Sequence, residues 1–364
     1  MNRTDVPGMY YLKWDETVIG TVAPDLSVSF VRPDFNTIVH TYTHGKNTWT
    51  REELISFLSE RIVSRDRRDI EKILFRCGLS SYDVWKIARI TRAIHPKDLL
   101  WIAEEADERM GDAVTDVFDA VFHRRTDLTG DSIDTPEGCN IKRYGVYNGQ
   151  YGIYKRRINP LVTDAESEIA VYMLAEKLGV PCCPTYRIDE DTIFSAFQYD
   201  FSGEYLVHFR RLFDGERSDN EYRNLIQVRP QYAEDIARMI LLDFITRQDD
   251  RHLSNIAVKV SAQGECFYPL YDNGRSLFYE DTEETVQKAV QDIPGYATTF
   301  GPVGSYYDHV TDMISEGIRP EALLHLDMQE DEVVSLLTQA GFNGYRLDGA
   351  CGWIMGAIAI LKEM

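Results

Sequence analysis

The stretch Arg247–Val258, RQDDRHLSNIAV, places two arginines, two aspartates, a histidine and an asparagine among its first nine residues. It follows Tyr232–Thr246, YAEDIARMILLDFIT, which is apolar on nearly every face after Ile236 and is therefore predicted to be a buried helix. A buried helix delivers its C-terminal end to a fixed place in the fold. We therefore take the polar loop that follows it as the candidate functional site.

A β-hairpin is predicted directly after this loop. The strand NIAVKV, a turn at residues 262–264 and the returning segment CFYPLYD have the pattern of two short antiparallel strands. At roughly 3.3 Å per strand residue, the two arms bring Asp272 back beside Asn255, close to Asp250. Two carboxylates and an amide oxygen suit Mg²⁺ bridging nucleotide phosphates, and one carboxylate can orient a hydroxyl nucleophile. These residues predict a phosphoryl-transfer enzyme.

The sequence DDRHLSN followed by LYDNG resembles the paired motifs of the HipA-like kinases. These belong to a branch of the protein-kinase-like fold that shares a DRHxxN loop with phosphoinositide-kinase relatives. The resemblance implies ATP and Mg²⁺ as cofactors, with Asp250 as the catalytic base and Asn255 and Asp272 as metal ligands. DNG stands where the familiar protein kinases have DFG. Arg251 and His252 also match the motif and are expected to hold the loop.

The kinase scheme requires a strand lysine that holds the phosphates and a helix glutamate that fixes this lysine. YGIYK ends a predicted strand at Lys155, and the helix that follows offers Glu166 and Glu168. Thr163 and Glu166 have the spacing of a capping box, which leaves Glu168 as the predicted partner of Lys155. Lys142, in NIKRY, is a second candidate for phosphate contact.

Two further parts of the nucleotide site are predicted from their order along the chain. The hinge that would bind adenine falls at Phe197, Gln198 and Tyr199, after the strand TIFSAF. The segment TGDSIDTPEG occupies the place of the phosphate-covering loop. In HipA-like proteins a serine of this loop can be autophosphorylated to switch the enzyme off, which makes Ser132 a candidate for the same role.

Residues 1–128 are predicted to form an accessory domain. Short alternating runs, MYYLKW and LSVSFV, indicate small strands near its beginning. From residue 46 to about residue 125 the spacing of apolar residues becomes helical, and the segments Tyr82–Ile90 and Pro96–Arg109 are read as helices. This region contains no cluster of titratable residues that would suggest chemistry.

The resemblance implies an α+β, bilobal protein-kinase-like fold for the remainder of the chain, with a β-rich N-lobe at 129–205 and a helical C-lobe at 206–364. The N-terminal accessory domain is mainly helical in this prediction. Within the N-lobe, Asn148-Gly149 is the dipeptide preferred by a two-residue type I′ hairpin turn. We therefore expect a strand pair on either side of it.

The composition limits the classes of partner. The chain has 364 residues, 44% hydrophobic and 27% charged, which is ordinary for a globular protein. A formal charge of −20 would repel a phosphate backbone, so no direct nucleic-acid binding is expected. No signal segment or apolar run of about 20 residues is present, so a cytoplasmic protein without a membrane span is expected. Six scattered cysteines show no metal-binding spacing.

The acceptor of the phosphoryl group is open at this point. A protein serine or threonine is the first interpretation, since the motifs resemble those of HipA-like serine/threonine kinases. A small molecule or phosphoinositide is the alternative within enzymes, because lipid kinases also have DRHxxN. A nucleotide-binding interaction module of the pseudokinase type is the non-catalytic alternative. The resemblance also implies a small DNA-binding antitoxin as a partner.

Overall fold

The computed structural model describes residues 8–110, 141–200, 203–213, 218, 220–299 and 304–364. The chain divides into two compact units, the first comprising Met1–Lys155 with Tyr199–Tyr205 and the second Arg156–Gln198 with Leu206–Met364. Ser132, the phosphate-covering loop and the boundary expected at residue 128 lie outside the described residues. Within the described ranges, no helix combines the length and apolar character needed to cross a membrane.

The first unit contains a five-stranded antiparallel sheet in the order β4-β3-β2-β1-β5. Its strands are β1 (Tyr10–Trp14), β2 (Thr17–Val22), β3 (Val28–Phe30), β4 (Thr48–Trp49) and β5 (Leu100–Ala103). The small strands expected from MYYLKW and LSVSFV are β1 and β3, so this part of the prediction is confirmed.

The helix expected at Pro96–Arg109 is wrong. Its central residues, Leu100–Ala103, form β5, which pairs antiparallel with β1, and all four side chains are buried. A short run of consecutive apolar residues carries no periodicity that separates a buried strand from a buried helix. The pairing with β1 therefore decides the structure, and the region predicted as helical from residue 46 onward contains β4 and β5 as well.

Four helices accompany this sheet within the described part of the first unit. They are α1 (Thr37–Thr43), α2 (Arg51–Ser59), α3 (Ile70–Arg76) and α4 (Val84–Ile90). A buried ion pair joins the segments after α2 and before β5, since both terminal nitrogens of Arg61 lie 2.7 Å from the carboxylate of Asp98. The hydroxyl of Tyr42 in α1 donates to the same carboxylate at 2.7 Å.

A β-hairpin completes the described part of the first unit. It consists of β6 (Lys142–Tyr147) and β7 (Gln150–Arg156), joined by Asn148 and Gly149. The backbone φ angles of these two residues are 50° and 77°, the left-handed region that a type I′ turn requires at both positions. The hairpin predicted from the Asn-Gly dipeptide is therefore confirmed.

The described part of the second unit includes strands of two small sheets. The strands β8 (Thr185–Arg187) and β9 (Thr192–Ala196) pair directly with each other. The strands β10 (Tyr205–His208), β11 (Ala257–Ser261) and β12 (Gly264–Phe267) form a sheet in that order. The β11–β12 pair is the hairpin expected after the polar loop, with Ser261 opposite Gly264 at its turn.

Helices make up most of the second unit. The buried helix predicted before the polar loop is α8 (Ala233–Thr246), whose residues are buried at nearly every position from Ile236 to Thr246. Trp353 in the last helix donates its indole N–H to the carbonyl of Phe244 in α8 at 3.0 Å, so the apolar C-terminal segment is a helix packed on α8. The helices are α5 (Asp164–Leu178), α6 (Phe209–Leu212), α7 (Glu221–Val228), α8 (Ala233–Thr246), α9 (Glu283–Gln291), α10 (Ile293–Tyr296), α11 (Tyr306–Ser315), α12 (Pro320–Leu323), α13 (Glu330–Ala340) and α14 (Gly344–Glu363), with 3₁₀ turns at Pro230–Tyr232 and Leu253–Asn255.

Candidate functional site

The polar loop begins where α8 ends. Arg247 adopts the left-handed conformation, with a φ of 48°, and turns the chain out of the helix. The side chain of the next residue, Gln248, is fully buried. Its Oε1 accepts the backbone N–H groups of Asp249 at 2.9 Å and Asp250 at 3.0 Å, and its Nε2 donates to the carbonyl of Asp272 at 3.4 Å. One amide side chain therefore contacts both the DRHLSN loop and the DNG segment.

A buried ion pair anchors the loop to α8. The guanidinium of Arg251 donates to both carboxylate oxygens of Asp243, at 3.0 and 2.9 Å, and both residues are almost completely buried. Burial by itself would lower the pKa of Arg251, but the neighbouring Asp243 carboxylate raises it above its ordinary value, so Arg251 stays charged. Burial also raises the pKa of Tyr306, whose hydroxyl donates to Asp243 at 3.1 Å.

The remaining donors of Arg251 join the two motifs. Its Nη1 donates to the carbonyl of Tyr271 at 2.7 Å and to that of Asn255 at 3.4 Å. Its Nη2 donates to the side-chain oxygen of Asn273 at 2.6 Å. The residues on both sides of Asp272 are thus bonded to the same guanidinium that holds the DRHLSN loop. The hairpin return that the sequence predicts brings these backbone segments together.

His252 holds the loop in a different way. Its Nδ1 accepts the backbone N–H of Ser254 at 3.2 Å and so caps the 3₁₀ turn that leads into β11. The ring is exposed, so this local bond is its structural contribution among the described contacts. The expectation that Arg251 and His252 hold the loop agrees with these hydrogen bonds.

The three predicted catalytic and metal-binding residues differ in their surroundings. Asn255 is buried, and its Nδ2 donates to the carbonyl of Asp250 at 2.9 Å. The Asp250 carboxylate is about one third exposed and lies 3.7 Å from the guanidinium of Arg275. Asp272 is half-buried and has a φ of 57°, a left-handed conformation that is costly for a residue with a side chain. Such backbone strain is common where a side chain is held for function.

The donor atoms of this loop fit a magnesium ion. The Nδ2 of Asn255 is directed at the Asp250 carbonyl, so the Oδ1 of the same amide faces the other way. An amide oxygen and the carboxylate of Asp272 are hard oxygen ligands, and Mg²⁺ typically takes one or two carboxylates and completes its shell with phosphates and water. Among the residues that the structure describes, no group of three His, Cys, Asp or Glu side chains forms a dedicated metal cage.

Glu168, the predicted helix glutamate, lies beside the DNG segment. It is buried in the second turn of α5, and a Cβ placed on Gly274 would lie 3.4 Å from its Cγ and 3.5 Å from its Oε1. The same Cβ would lie 3.3 Å from the carbonyl oxygen of Asp164 in the first turn. Glycine at position 274 therefore lets the DNG segment approach α5 closely, and this brings the Glu168 carboxylate to the edge of the candidate site.

Burial affects the carboxyl group of Asp164 strongly. Its Oδ2 accepts the backbone N–H of Ile158 at 3.1 Å, whereas its Oδ1 is buried without a hydrogen-bond partner. Burial raises the pKa of Asp164 to about 6. The first turn of α5 thus carries a carboxyl group that resists ionisation near the DNG segment.

The capping box predicted at the start of α5 is wrong. Thr163 occupies the N-cap position, but its side chain makes no capping bond and instead donates to the carbonyl of Tyr279 at 3.4 Å. Glu166 is buried and pairs with Arg157 at 2.5 Å and with Arg187 at 3.6 Å. A charge-assisted pair with two arginines is stronger than a bond to one backbone N–H, so Glu166 turns away from the helix end. At the other end of α5, Gly179 adopts the left-handed conformation and terminates the helix.

The two candidate phosphate-contacting lysines face each other in the first unit. Lys142 in β6 is directly opposite Lys155 in β7, and both are buried. Opposite residues of an antiparallel pair project from the same face of the hairpin. The two ammonium groups are therefore neighbours on one face of the hairpin. The sequence indicated both lysines but not that they are cross-strand neighbours.

The predicted hinge residues use part of their polar backbone within the protein. The N–H of Gln198 donates to the hydroxyl of Tyr268 at 2.9 Å, and its carbonyl accepts from Lys259 at 3.3 Å. Phe197 accepts a bond from the side chain of Gln198, and the hydroxyl of Tyr199 donates to the carbonyl of Pro96 at 3.2 Å. The main-chain groups of residue 198 are therefore held by side chains of β11 and the segment after β12.

Sequence reasoning missed several residues that build the site. Gln248 gave no signal beyond its position two residues before Asp250, and nothing in the sequence pairs Asp243 with Arg251. The regular spacing of DRHxxN identifies residues that could face a ligand. It does not identify the buried residues behind them, whose partners come from other parts of the chain.

Two solved structures similar to this chain are a kinase and a component of a toxin–antitoxin complex. One is the Helicobacter pylori proinflammatory kinase CtkA, 15% identical, covering 62% of this chain and 88% of that chain with a TM-score of 0.48. The other is the Shewanella oneidensis MR-1 toxin–antitoxin system HipA, HipB and its operator DNA complex, 12% identical, covering 98% and 99% with a TM-score of 0.48. Both similarities are modest. No protein family and no curated protein matches the chain.

Proposed function

We propose that this protein is an ATP- and Mg²⁺-dependent kinase of the HipA-like type that transfers the γ-phosphoryl group to a serine or threonine hydroxyl of a protein. The observation that carries the proposal is the joint anchoring of DRHLSN and DNG. Arg251 bonds to the carbonyls of both Asn255 and Tyr271, which holds the two candidate metal-binding segments against each other. The bilobal kinase layout is part of this proposal.

Each candidate residue has one role in the proposed reaction. The acceptor oxygen forms a bond to the γ-phosphorus while the bond from that phosphorus to the bridging oxygen breaks, and ADP leaves. The carboxylate of Asp250 accepts the acceptor's proton, which its partial exposure allows. Asn255 and Asp272 would hold Mg²⁺, which would supply charge neutralisation at the phosphates. Lys142 and Lys155 contact the phosphates. Phe197, Gln198 and Tyr199 form the hinge that holds adenine, and Glu168 is the helix glutamate.

The test is transfer of label from γ-labelled ATP to protein, measured for wild type and for Asp250→Asn. This change preserves shape and removes the proton acceptor, so we expect a loss of at least about 100-fold in rate. Asp249→Asn is the matched control, because it makes the same change one residue away and keeps the backbone N–H that donates to Gln248. Equal labelling by wild type and Asp250→Asn would contradict the proposal.

The acceptor class requires a separate experiment. We compare the transfer of label to three kinds of acceptor under the same conditions. These are a mixed protein substrate, phosphoinositide vesicles and a panel of small alcohols. Labelling confined to the vesicles or small alcohols would assign the lipid- or small-molecule-kinase alternative. Calorimetric binding of ATP and Mg²⁺ without any turnover would assign the non-catalytic module.

The motif resemblance also supports a small DNA-binding antitoxin as a protein partner. The formal charge of −20 disfavours direct contact of this chain with a phosphate backbone. In the proposed assembly the partner therefore contacts the DNA. Co-purification from the native host, followed by mass spectrometry of bound small proteins, tests this part of the proposal.

A further inference from the structure

The side chain of Gln248 occupies an unusual position between the two motifs. It is fully buried, two residues before the candidate base. Its Oε1 accepts from the N–H groups of Asp249 and Asp250, and its Nε2 points at the carbonyl of Asp272. The amide thus has a defined orientation, because turning it over would place its NH₂ group against two N–H donors.

We propose that Gln248 is a positioning residue that couples the candidate base to the candidate metal-binding segment, which rests on the proposed function above. On one side its amide oxygen fixes the backbone of Asp250. On the other its amide nitrogen holds the carbonyl of Asp272, whose left-handed backbone needs support from neighbouring groups. The residue touches neither the nucleotide nor the acceptor in this scheme and acts through the two aspartates.

The local backbone explains why a glutamine serves here. The N–H of Gln248 donates to the carbonyl of Asp243 at 2.9 Å, and its own carbonyl accepts the hydroxyl of Thr298. Both backbone groups are therefore fixed, so the side chain starts from a rigid point. Only a side chain with an acceptor and a donor on one planar group can satisfy the two loops at once.

Replacing Gln248 by glutamate separates its contact with the backbone of Asp249 and Asp250 from its contact with the carbonyl of Asp272. Gln248→Glu keeps the length and the acceptor for the N–H groups of Asp249 and Asp250. Its second oxygen, however, replaces a donor with an acceptor that faces the carbonyl oxygen of Asp272. We expect this repulsion to displace the DNG segment and to weaken metal binding by about 10–100-fold, the usual effect of losing a group that orients a metal ligand.

The test is Mn²⁺ binding in the presence of a non-hydrolysable ATP analogue, followed by electron paramagnetic resonance of the free ion, on the full chain. Wild type, Gln248→Glu and Gln248→Leu are compared with Gln263→Glu, which makes the same chemical change at the exposed turn of the β11–β12 hairpin. Thermal unfolding is measured for each protein. Gln248→Leu loses both contacts and should lower both metal affinity and thermal stability.

The result that supports the inference is weakened Mn²⁺ binding by Gln248→Glu protein that remains folded at the assay temperature, with Gln263→Glu unchanged. A residue that merely held the end of α8 would affect stability and leave metal affinity intact. Equal Mn²⁺ affinity for wild type, Gln248→Glu and Gln248→Leu therefore overturns the role of Gln248 alone, because leucine has no donor in any protonation state. Wild-type protein that binds no Mn²⁺ with the analogue overturns the proposed function, and the inference with it.

Discussion

At the scale of single residues, the site depends on buried charge that is fully compensated. The guanidinium of Arg251 bonds to the carboxylate of Asp243, to two backbone carbonyls and to the side chain of Asn273. Removing one partner of a buried ion pair leaves an uncompensated charge, which is far more costly than losing a surface pair. Loss of Arg251 and loss of Asp243 should therefore have different costs. Without Asp243, Arg251 keeps other acceptors, whereas without Arg251 the Asp243 carboxylate keeps, among the described residues, only the hydroxyl of Tyr306.

Replacing Arg251 by methionine should destabilise the protein by about 3–5 kcal/mol, because it leaves the Asp243 carboxylate buried without its charged partner. Asp243→Asn should cost less, and the double variant should cost less than the sum of the two. Urea unfolding of the four proteins measures this cycle. Lys362→Met, which removes an exposed pair with Asp327, is the control and should show no measurable change. Additive effects of the Arg251 and Asp243 changes would contradict the prediction.

Asp164 should make the stability of the protein depend on pH. Burial raises its folded pKa from 3.8 to about 6, so the folded state binds the proton more tightly than the unfolded state. Its contribution to stability is therefore greatest below about pH 4 and is lost as the pH rises to about 6. A difference of about two pKa units corresponds to roughly 2–3 kcal/mol.

The measurement is thermal unfolding between pH 4 and pH 8 for wild type and Asp164→Asn. The asparagine keeps an oxygen that can accept the N–H of Ile158 and cannot ionise. Relative to wild type, the variant should gain stability as the pH rises from 4 to 6, and the difference should then stay constant. A difference between the two proteins that does not change across this interval would rule out the raised pKa.

The sequence could predict the residues of the candidate site but not their supports. The spacing of DRHxxN and the hairpin return identify Asp250, Asn255 and Asp272 without a structure. The capping box at Thr163 failed because arginines distant in the sequence compete for Glu166. Local spacing describes bonds between near neighbours in the chain, whereas buried partners such as Gln248 are set by tertiary contacts.

At the scale of secondary-structure elements, the position of the DNG segment depends on its approach to α5. The β11–β12 hairpin was predictable because its turn and its strand lengths are local features. The strand β5 was not, since its four apolar residues become a strand only by pairing with β1. The close packing of Gly274 on α5 is also a tertiary contact that could not be predicted, because nothing in the sequence indicates which surface the glycine contacts.

Gly274→Val should reduce phosphoryl transfer more than it reduces stability. A Cβ at this position already approaches the carbonyl of Asp164 and the side chain of Glu168 within 3.3–3.5 Å, and a branched side chain would force the segment away from α5. We expect a loss in rate of roughly 100-fold, since misplacement of about 1 Å has such effects. Gly8→Ala is a control with no atoms within 4 Å of the added carbon. Full activity of Gly274→Val at normal stability would show that this contact does not position the site.

At the scale of the whole molecule, the chain is strongly acidic yet carries two buried lysines on one hairpin. The formal charge is −20, whereas Lys142 and Lys155 are buried side by side on one hairpin. Composition predicted the exclusion of nucleic acid, and only the strand register pairs the two lysines. The overall charge and the local charge on this hairpin therefore differ in sign, and composition alone does not reveal the second.

Binding of Mg²⁺ and an ATP analogue should stabilise the whole chain by mass action. A ligand at about 100 times its dissociation constant that binds only the folded state contributes about 2.7 kcal/mol. If Asp272 holds the metal, Asp272→Asn should lose most of the increase in unfolding temperature that Mg²⁺ adds to the analogue alone. Differential scanning calorimetry with and without Mg²⁺ measures this increment. Asp189→Asn is the control, because its side chain is exposed and an asparagine oxygen can still accept the N–H of Asp191. An Mg²⁺ increment as large in Asp272→Asn as in wild type would remove Asp272 from the metal site.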